Sequence, residues 1–233
     1  SFFAIAYTLQ IDKVTDFAGT SNFLVLAVFT LWLSEDFSFP KILGSLMVIV
    51  WSLRLGIYLT YRIMVWGEDN RFDELRTKFW SFLGFWVYQI LWVFLTSLPV
   101  IYFNSLESPT EMTALAAVGL FMFVTGFSIE TWADYTKFNH KLHGEKWCTS
   151  GLWKYSRHPN YFGNIVLWFG IFLFCFAYDA PLWTIIGPLW TTFLLLFVSG
   201  LPFLEASANK KYGTDEGYLR YKNETSILIP WFK

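Results

Sequence analysis

Charge is what this sequence has least of. Asp, Glu, Lys and Arg make up 15% of its 233 residues, against roughly 25% in an ordinary water-soluble protein. The formal net charge is −1, so no global basic excess draws a nucleic acid, and no nucleic-acid partner is expected. Cysteine is almost absent: Cys148 and Cys175 are too few for a disulfide framework or a four-cysteine zinc site, and they leave the redox compartment open. Neither Gly-x-Gly-x-x-Gly nor Gly-x-x-x-x-Gly-Lys-Ser/Thr occurs, which removes a Rossmann domain and a P-loop NTPase. No internal repeat of the kind that builds a transporter from two halves is visible. His140 and His143 with Cys148 lack a carboxylate pattern, so no metal is expected.

What is abundant is apolar and aromatic. Hydrophobic residues make up 55% and aromatics 22% of the chain, which excludes a disordered segment. Charges are missing in long blocks. Phe79 to Phe103 and Ala180 to Leu204 are 25 residues each without Asp, Glu, Lys or Arg; Pro159 to Tyr178 is 20, and Phe17 to Ser34 and Met112 to Ile129 are 18 each. Ile42 to Tyr61 carries one charge, Arg54. A span needs about 20 such residues, and a water-soluble bundle would need polar faces that these runs lack. The expectation is an all-α integral membrane bundle of about six transmembrane helices, residues 1–233 forming one membrane domain. A seventh helix at the N-terminus is an alternative, because Phe2 to Ile11 is apolar though too short to span; it reads as an interfacial helix or the remnant of a processed span.

Alternate loops differ sharply in basic content. Fifteen of the 17 Lys and Arg residues fall on one side, Lys41 alone on the other, and Arg54 within a span. By the positive-inside rule the long loops and both ends lie inside. Three inner segments carry the chemistry: Arg62 to Lys78, Glu130 to His158, and Glu205 to the end. The motif-rich part is thus 130–233. In the three segments together, acidic residues nearly balance the basic ones, so any one lysine also reads as a solvated or headgroup-facing side chain.

The densest stretch is Gly151 to Gly163, GLWKYSRHPNYFG. Pro159 suits the first turn of a helix, and the free N–H groups that follow it, with Arg157 and His158 beside the helix N-terminus, favour a phosphate or carboxylate. The competing reading is an interfacial cap in which Trp153, Tyr155 and Tyr161 form an aromatic belt. Asp134 stands about one turn from Glu130 and Lys137. In the second run Arg54, Tyr58 and Tyr61 share a helical face, either walling a cavity or letting the arginine snorkel.

These segments carry a resemblance. GLWKYSRHPNYFG, preceded by ADYTK (Ala133 to Lys137) and followed by SGLPFLE (Ser199 to Glu205) and KKYGTDEGYLRYKNETSILIP (Lys210 to Pro230), resembles the DUF1295 family, a branch of the steroid 5-alpha-reductase-like membrane proteins. RLGIYLTYRI (Arg54 to Ile63) and GEDNRFDELR (Gly67 to Arg76) fit the same family. The resemblance implies a helical membrane domain holding NADPH on its inner face, with membrane lipids around it and a lipid or sterol enone as substrate. The reaction would be reduction of a carbon–carbon double bond. Carried over by motif, Asp134, Arg157, Asn160 and Tyr161 would contact the cofactor, and Lys137, His158, Glu205, Tyr218 and Tyr221 match less closely. No motif fixes the proton donor; Tyr58 and Tyr61 are the candidates. A similar Arg-His-Pro-x-Tyr segment occurs in isoprenylcysteine carboxyl methyltransferases, so an S-adenosylmethionine-dependent methyltransferase is a further alternative.

Two positions depart from the family pattern. The family usually continues NYFGE where this chain has Asn164, and its ADxQK is here ADYTK, with Thr136. Losing a charge at 164 impairs a role in orienting nicotinamide or moving a proton. A non-catalytic accessory or lipid-binding subunit of a larger membrane complex, without cofactor and beside other membrane subunits, is therefore the second expectation. The family resemblance suggests an endoplasmic-reticulum-like membrane, and a chain beginning at Ser without Met admits the mitochondrial inner membrane.

Overall fold

The computed structural model describes residues 3, 7, 8, 13–66, 78–107, 111–144 and 146–232. The acidic and basic loop 67–77, and most of the apolar segment Phe2 to Ile11, lie outside the described residues. Eight α-helices account for most of what is described: α1 (Lys13–Leu33), α2 (Phe39–Trp66), α3 (Phe79–Ser105), α4 (Ala114–Leu142), α5 (Pro159–Phe176), α6 (Ile186–Phe193), α7 (Leu201–Tyr212) and α8 (Glu216–Glu224). Among the described residues the only strand-like pairing is an isolated parallel bridge, Ser156 to Ser226.

Five helical stretches are long and apolar enough to cross a membrane: Phe39–Val65, Phe79–Ser105, Ala114–Leu142, Pro159–Phe176 and Leu182–Tyr212. Phe17–Leu33 of α1 is shorter, and at 1.5 Å per residue the whole of α1 still reaches about 31 Å. The protein is therefore an all-α, multi-pass membrane protein. All six charge-poor runs became helices because a backbone in hydrocarbon must satisfy its N–H and C=O groups internally. The last run is not one smooth helix, as its uniform apolarity suggested. It is a 3-10 turn (Leu182–Ile185), α6, a π-helical stretch (Leu194–Val198), a break at Ser199 and Gly200, and α7. Pro202 lies in the first turn of α7, and a Cβ on Gly200 would sit 2.2 Å from the Leu195 carbonyl oxygen, so only glycine fits there.

The chain forms two compact units, one of Ser1–Thr113 with Cys175–Gly187, the other of Ala114–Phe174 with Pro188–Lys233. In the first unit, α1 packs along α2 and α3. Its aromatic contacts include Phe23 edge-on to Trp51 and Trp92, each at 5.0 Å, and Phe103 stacked on Tyr178 at 5.5 Å. Phe3 and Tyr7 pack against the cluster of Ala18, Phe82 and Trp86.

A closed polar network caps the ends of these helices. Lys41, 1% exposed, pairs with Asp36 at 2.9 Å and donates to the carbonyls of Asn104 (3.2 Å) and Leu106 (2.6 Å). Those carbonyls belong to the C-terminal end of α3, where orphan acceptors attract a cation. The Asn104 amide donates to Thr30 (2.9 Å) and Ser45 (3.1 Å). Lys41 is thus no exposed turn residue: the lone basic residue of the outer side lies in the first turn of α2, with all three ammonium protons used.

In the second unit, α4 and α5 touch backbone to backbone. Gly119 and Gly126 on α4, and Gly163 and Gly170 on α5, each lack room for a side chain: added Cβ atoms would lie 2.5 to 2.6 Å from backbone atoms of the facing helix. Small residues let two membrane helices approach this closely without solvent exclusion to drive them together. The length of α4, 29 residues or about 43 Å, exceeds a hydrocarbon core of about 30 Å. Its charged C-terminal turns, from Glu130 on, are the part that extends beyond an apolar span.

Candidate functional site

The close approach of α4 and α5 dictates what their polar ends can do. Glu130 and Asp134 are one turn apart on α4, and Asn160 and Asn164 one turn apart on α5, so the two helices present facing i, i+4 pairs. The Asn164 amide donates to Glu130 Oε1 at 3.3 Å, and the Asn160 amide to Asp134 Oδ1 at 3.1 Å. Glu130, Asp134 and Asn164 are buried. An amide facing a carboxylate satisfies it without a second charge, which a low-dielectric interior favours. Asn164, where the family pattern has Glu, fits this ladder: a second carboxylate there would face Glu130 with like charge. Thr136 points elsewhere, its hydroxyl bonded back to the Trp132 carbonyl at 2.8 Å.

One turn before α5, Ser156 organises the chain. Its hydroxyl donates to the Leu228 carbonyl (2.7 Å) and accepts from the His158 N–H (3.1 Å), while the Arg157 N–H donates to the Ser226 carbonyl (2.8 Å). The N–H groups of Arg157 and His158, just before Pro159, are therefore taken by the protein itself. The side chains remain available. Glu205, on α7, receives the Arg157 guanidinium on Oε2 at 2.7 Å and His158 Nε2 on Oε1 at 2.8 Å. All three are largely buried, and the His158 ring stacks on Tyr161 at 5.6 Å.

Burial lowers the His158 pKa below its ordinary 6.5, helped by the Lys137 and Arg157 charges and opposed by the hydrogen bond and charge of Glu205. The ring is then neutral at physiological pH. With Nε2–H given to Glu205, Nδ1 is left as an acceptor. Of the ten shielded side-chain atoms among the described residues that have no hydrogen-bond partner, three cluster here: His158 Nδ1, Asn160 Oδ1 and Arg157 Nε. Two accept and one donates.

The other predicted residues surround this group. Lys137 lies over the Trp153 ring at 4.8 Å. The Trp153 indole N–H donates to the Ala133 carbonyl (2.9 Å), and the Tyr221 hydroxyl to the Trp153 carbonyl (2.8 Å). Tyr221 is thus a brace, its hydroxyl pKa pushed up chiefly by burial. Tyr218 is buried against Trp147 and Tyr212, at 5.5 and 5.7 Å, and burial followed by the Glu205 charge raises its pKa. Tyr58 and Tyr61 lie in the first unit on α2, where the Arg54 guanidinium sits 5.7 Å from the Tyr58 ring centre and Tyr61 is exposed. Among the described residues no group of three or more His, Cys, Asp or Glu is placed to hold a metal.

Asp134, Lys137, Arg157, His158, Asn160, Tyr161, Glu205, Tyr218 and Tyr221 all belong to the second unit. Sequence reasoning missed Ser156 and Trp153 as organisers and gave no role to the Glu130–Asn164 pair. Ser156 carries no signal, being a small residue between two larger ones. The seven-residue spacing of Gly119 with Gly126, and of Gly163 with Gly170, was the visible clue to the helix pair. Fold and cluster together define a multi-pass helical membrane protein with a buried, charge-rich cluster within one unit. The chain belongs to the DUF1295 family, described as a protein of unknown function, which matches residues 2–225. No match is found among curated proteins.

Proposed function

We propose that this protein is an NADPH-dependent reductase of an apolar lipid or sterol enone, with the cofactor held by the second unit. The observation that carries the reading is the set of partnerless atoms around Arg157, His158 and Asn160. A buried polar atom left unsatisfied costs roughly 1–3 kcal/mol, so a ligand completing all three gains that energy on binding. The chemistry of the set fits a ribose phosphate: hydroxyl or amide donors for His158 Nδ1 and Asn160 Oδ1, and an anionic oxygen for Arg157 Nε. NADPH, when bound, supplies a hydride to one carbon of the activated double bond, and a proton goes to its neighbour.

The chain's own residues bind and orient. Glu205 fixes the Arg157 fork and the His158 tautomer, so that Nε of one and Nδ1 of the other stay aimed away from the carboxylate. Tyr161 holds the imidazole plane by stacking, and Asp134 fixes the Asn160 amide so that its oxygen remains the open end. Lys137 adds a cation beside the site. Tyr58 and Tyr61 remain the candidates for donating the proton.

A second reading is favoured by Asn164, which is committed to Glu130 and carries no proton for transfer. In that reading the protein is an accessory or lipid-holding subunit that keeps the fold without turnover. Following NADPH oxidation by protein in nanodiscs with a steroid or lipid enone separates the two. Oxidation coupled to substrate reduction supports the reductase. Binding without oxidation under any enone, unchanged by Asn164→Glu, supports the accessory role. Bound S-adenosylmethionine would replace both with a methyltransferase. An endoplasmic-reticulum-like membrane is the proposed location, testable by fractionation against a mitochondrial marker.

A further inference from the structure

The segment that follows α8 is apolar where a water-exposed tail would be polar. It is also fixed at one level of the molecule. The Ser156–Ser226 bridge, the Arg157 N–H to Ser226 carbonyl bond and the Ser156 hydroxyl to Leu228 carbonyl bond tie residues 226–228 alongside 156 and 157. Those residues stand two and three positions before Pro159, the first residue of a membrane-spanning helix. At about 3.3 Å per extended residue they lie within about 10 Å of the start of the span. The headgroup layer is about 5–7 Å deep on each side of the hydrocarbon, so the segment runs in that layer or directly beside it.

Its side chains match that level. Ser226 is buried, whereas Ile227 and Ile229 are exposed. The chain then turns. The Phe232 N–H donates to the Ile229 carbonyl (3.2 Å), Pro230 is the second residue, and Trp231 the third with φ 65°. That is the pattern of a type II turn, whose third position ordinarily takes glycine. A bulky residue in the left-handed region costs about 1 kcal/mol, yet the turn leaves Trp231 76% and Phe232 74% exposed. The protein covers Trp231 only in part, through Tyr155 at 5.2 Å, itself exposed next to the exposed Lys154. Trp and Tyr favour the membrane–water boundary, and lysine there meets anionic headgroups.

We propose that residues 226–232, with Tyr155, form an interfacial foot that inserts into the headgroup layer of the inner leaflet. Its partner is a lipid surface. The foot holds Ser156, and through it Arg157 and His158, at the membrane boundary, so the site opens where an apolar substrate dissolved in the bilayer arrives. The surface does not depend on which cofactor the protein binds.

Site-directed spin labelling of the full chain in phosphatidylcholine nanodiscs tests this. Cys148 and Cys175 are buried, so Ile229→Cys and Phe232→Cys are labelled directly, with unsubstituted protein as the blank. Phe121→Cys on the exposed face of α4 and Lys210→Cys on α7 mark lipid and water. Nitroxides at 229 and 232 should collide with oxygen more often than with a water-soluble nickel chelate, with ratios between those at 121 and 210. A ratio equal to that at 210 overturns the proposal, placing the segment in water. Low collision with both reagents overturns it too, because a protein partner would then cover the foot. The two labelled positions guard against one variant failing to fold.

Discussion

The two units each bury a polar cluster, and the clusters differ in one respect. In the first unit every proton of Lys41 has an acceptor, and the Asn104 amide donates to both Thr30 and Ser45. In the second, Glu205 is fully engaged but Arg157, His158 and Asn160 each keep one shielded atom without a partner. Folding alone explains a closed network, since buried polar groups are paired in native proteins. An open one is retained at a cost, and sites that bind ligands are where such costs are tolerated. Under the function proposed above, the first cluster is structural and the second is the one that binds.

The contrast breaks most visibly through Lys41. Lys41→Met strips a buried ion pair of its cation and leaves the end of α3 uncapped, which should cost about 3–5 kcal/mol. Thermal unfolding should show a large fall in Tm, while the NADPH affinity of the folded fraction stays that of the unsubstituted protein. If affinity falls in step, the first network is not purely structural.

The mirror experiment is Arg157→Ala. Losing a charge-assisted bond to a bound phosphate is worth about 1.5–3 kcal/mol, so titration should show NADPH binding weakened about 10- to 150-fold. Tm should fall less than for Lys41→Met. A greater loss of stability than of affinity would make the inner cluster another scaffold.

Gly163→Ala sharpens the comparison from the backbone side. The new methyl would meet the Glu130 nitrogen at 2.6 Å, and overpacking of this kind costs about 1–3 kcal/mol. Because it spreads α4 from α5 just beside the Glu130–Asn164 and Asp134–Asn160 pairs, both Tm and NADPH affinity should drop, unlike either substitution above.

The smallest effect is set by pH. The folded-state pKa of His158 lies below 6.5, so as pH falls the unfolded chain takes up this proton first. Its contribution to stability is complete above about pH 6.5 and is lost as pH falls from there toward the folded value. Tm measured between about pH 7 and pH 5 should therefore decline more steeply for the unsubstituted protein than for His158→Gln, which cannot titrate. Parallel curves would mean that folding leaves the pKa of His158 unchanged.

Most of the fold was legible because membrane spans announce themselves by missing charge, a local property of the chain. The break in the last run was harder to read. Gly200 and Pro202 are visible, but both are tolerated in membrane helices, and the π-helical stretch before them depends on packing. The site residues were legible only as a set of types near the inner face. That Arg157 and His158 share Glu205, some 48 residues on, follows from how α7 folds back, which no spacing encodes. The ladder could have been read once α4 and α5 were known to meet, since glycines seven apart and polar residues four apart mark the same pair of faces. Lys41 misled for the opposite reason: counting it as an outer-loop cation was sound, but its burial is decided by the carbonyls of Asn104 and Leu106.

The central claim is that the inner cluster is completed by a dinucleotide. Its most direct test is mass spectrometry of small molecules released from protein purified out of its native membrane in mild detergent. The account predicts NADP(H) from the unsubstituted protein and none from Arg157→Ala that still unfolds cooperatively. Folded, unsubstituted protein that releases no nucleotide and binds none when NADPH is added would contradict it.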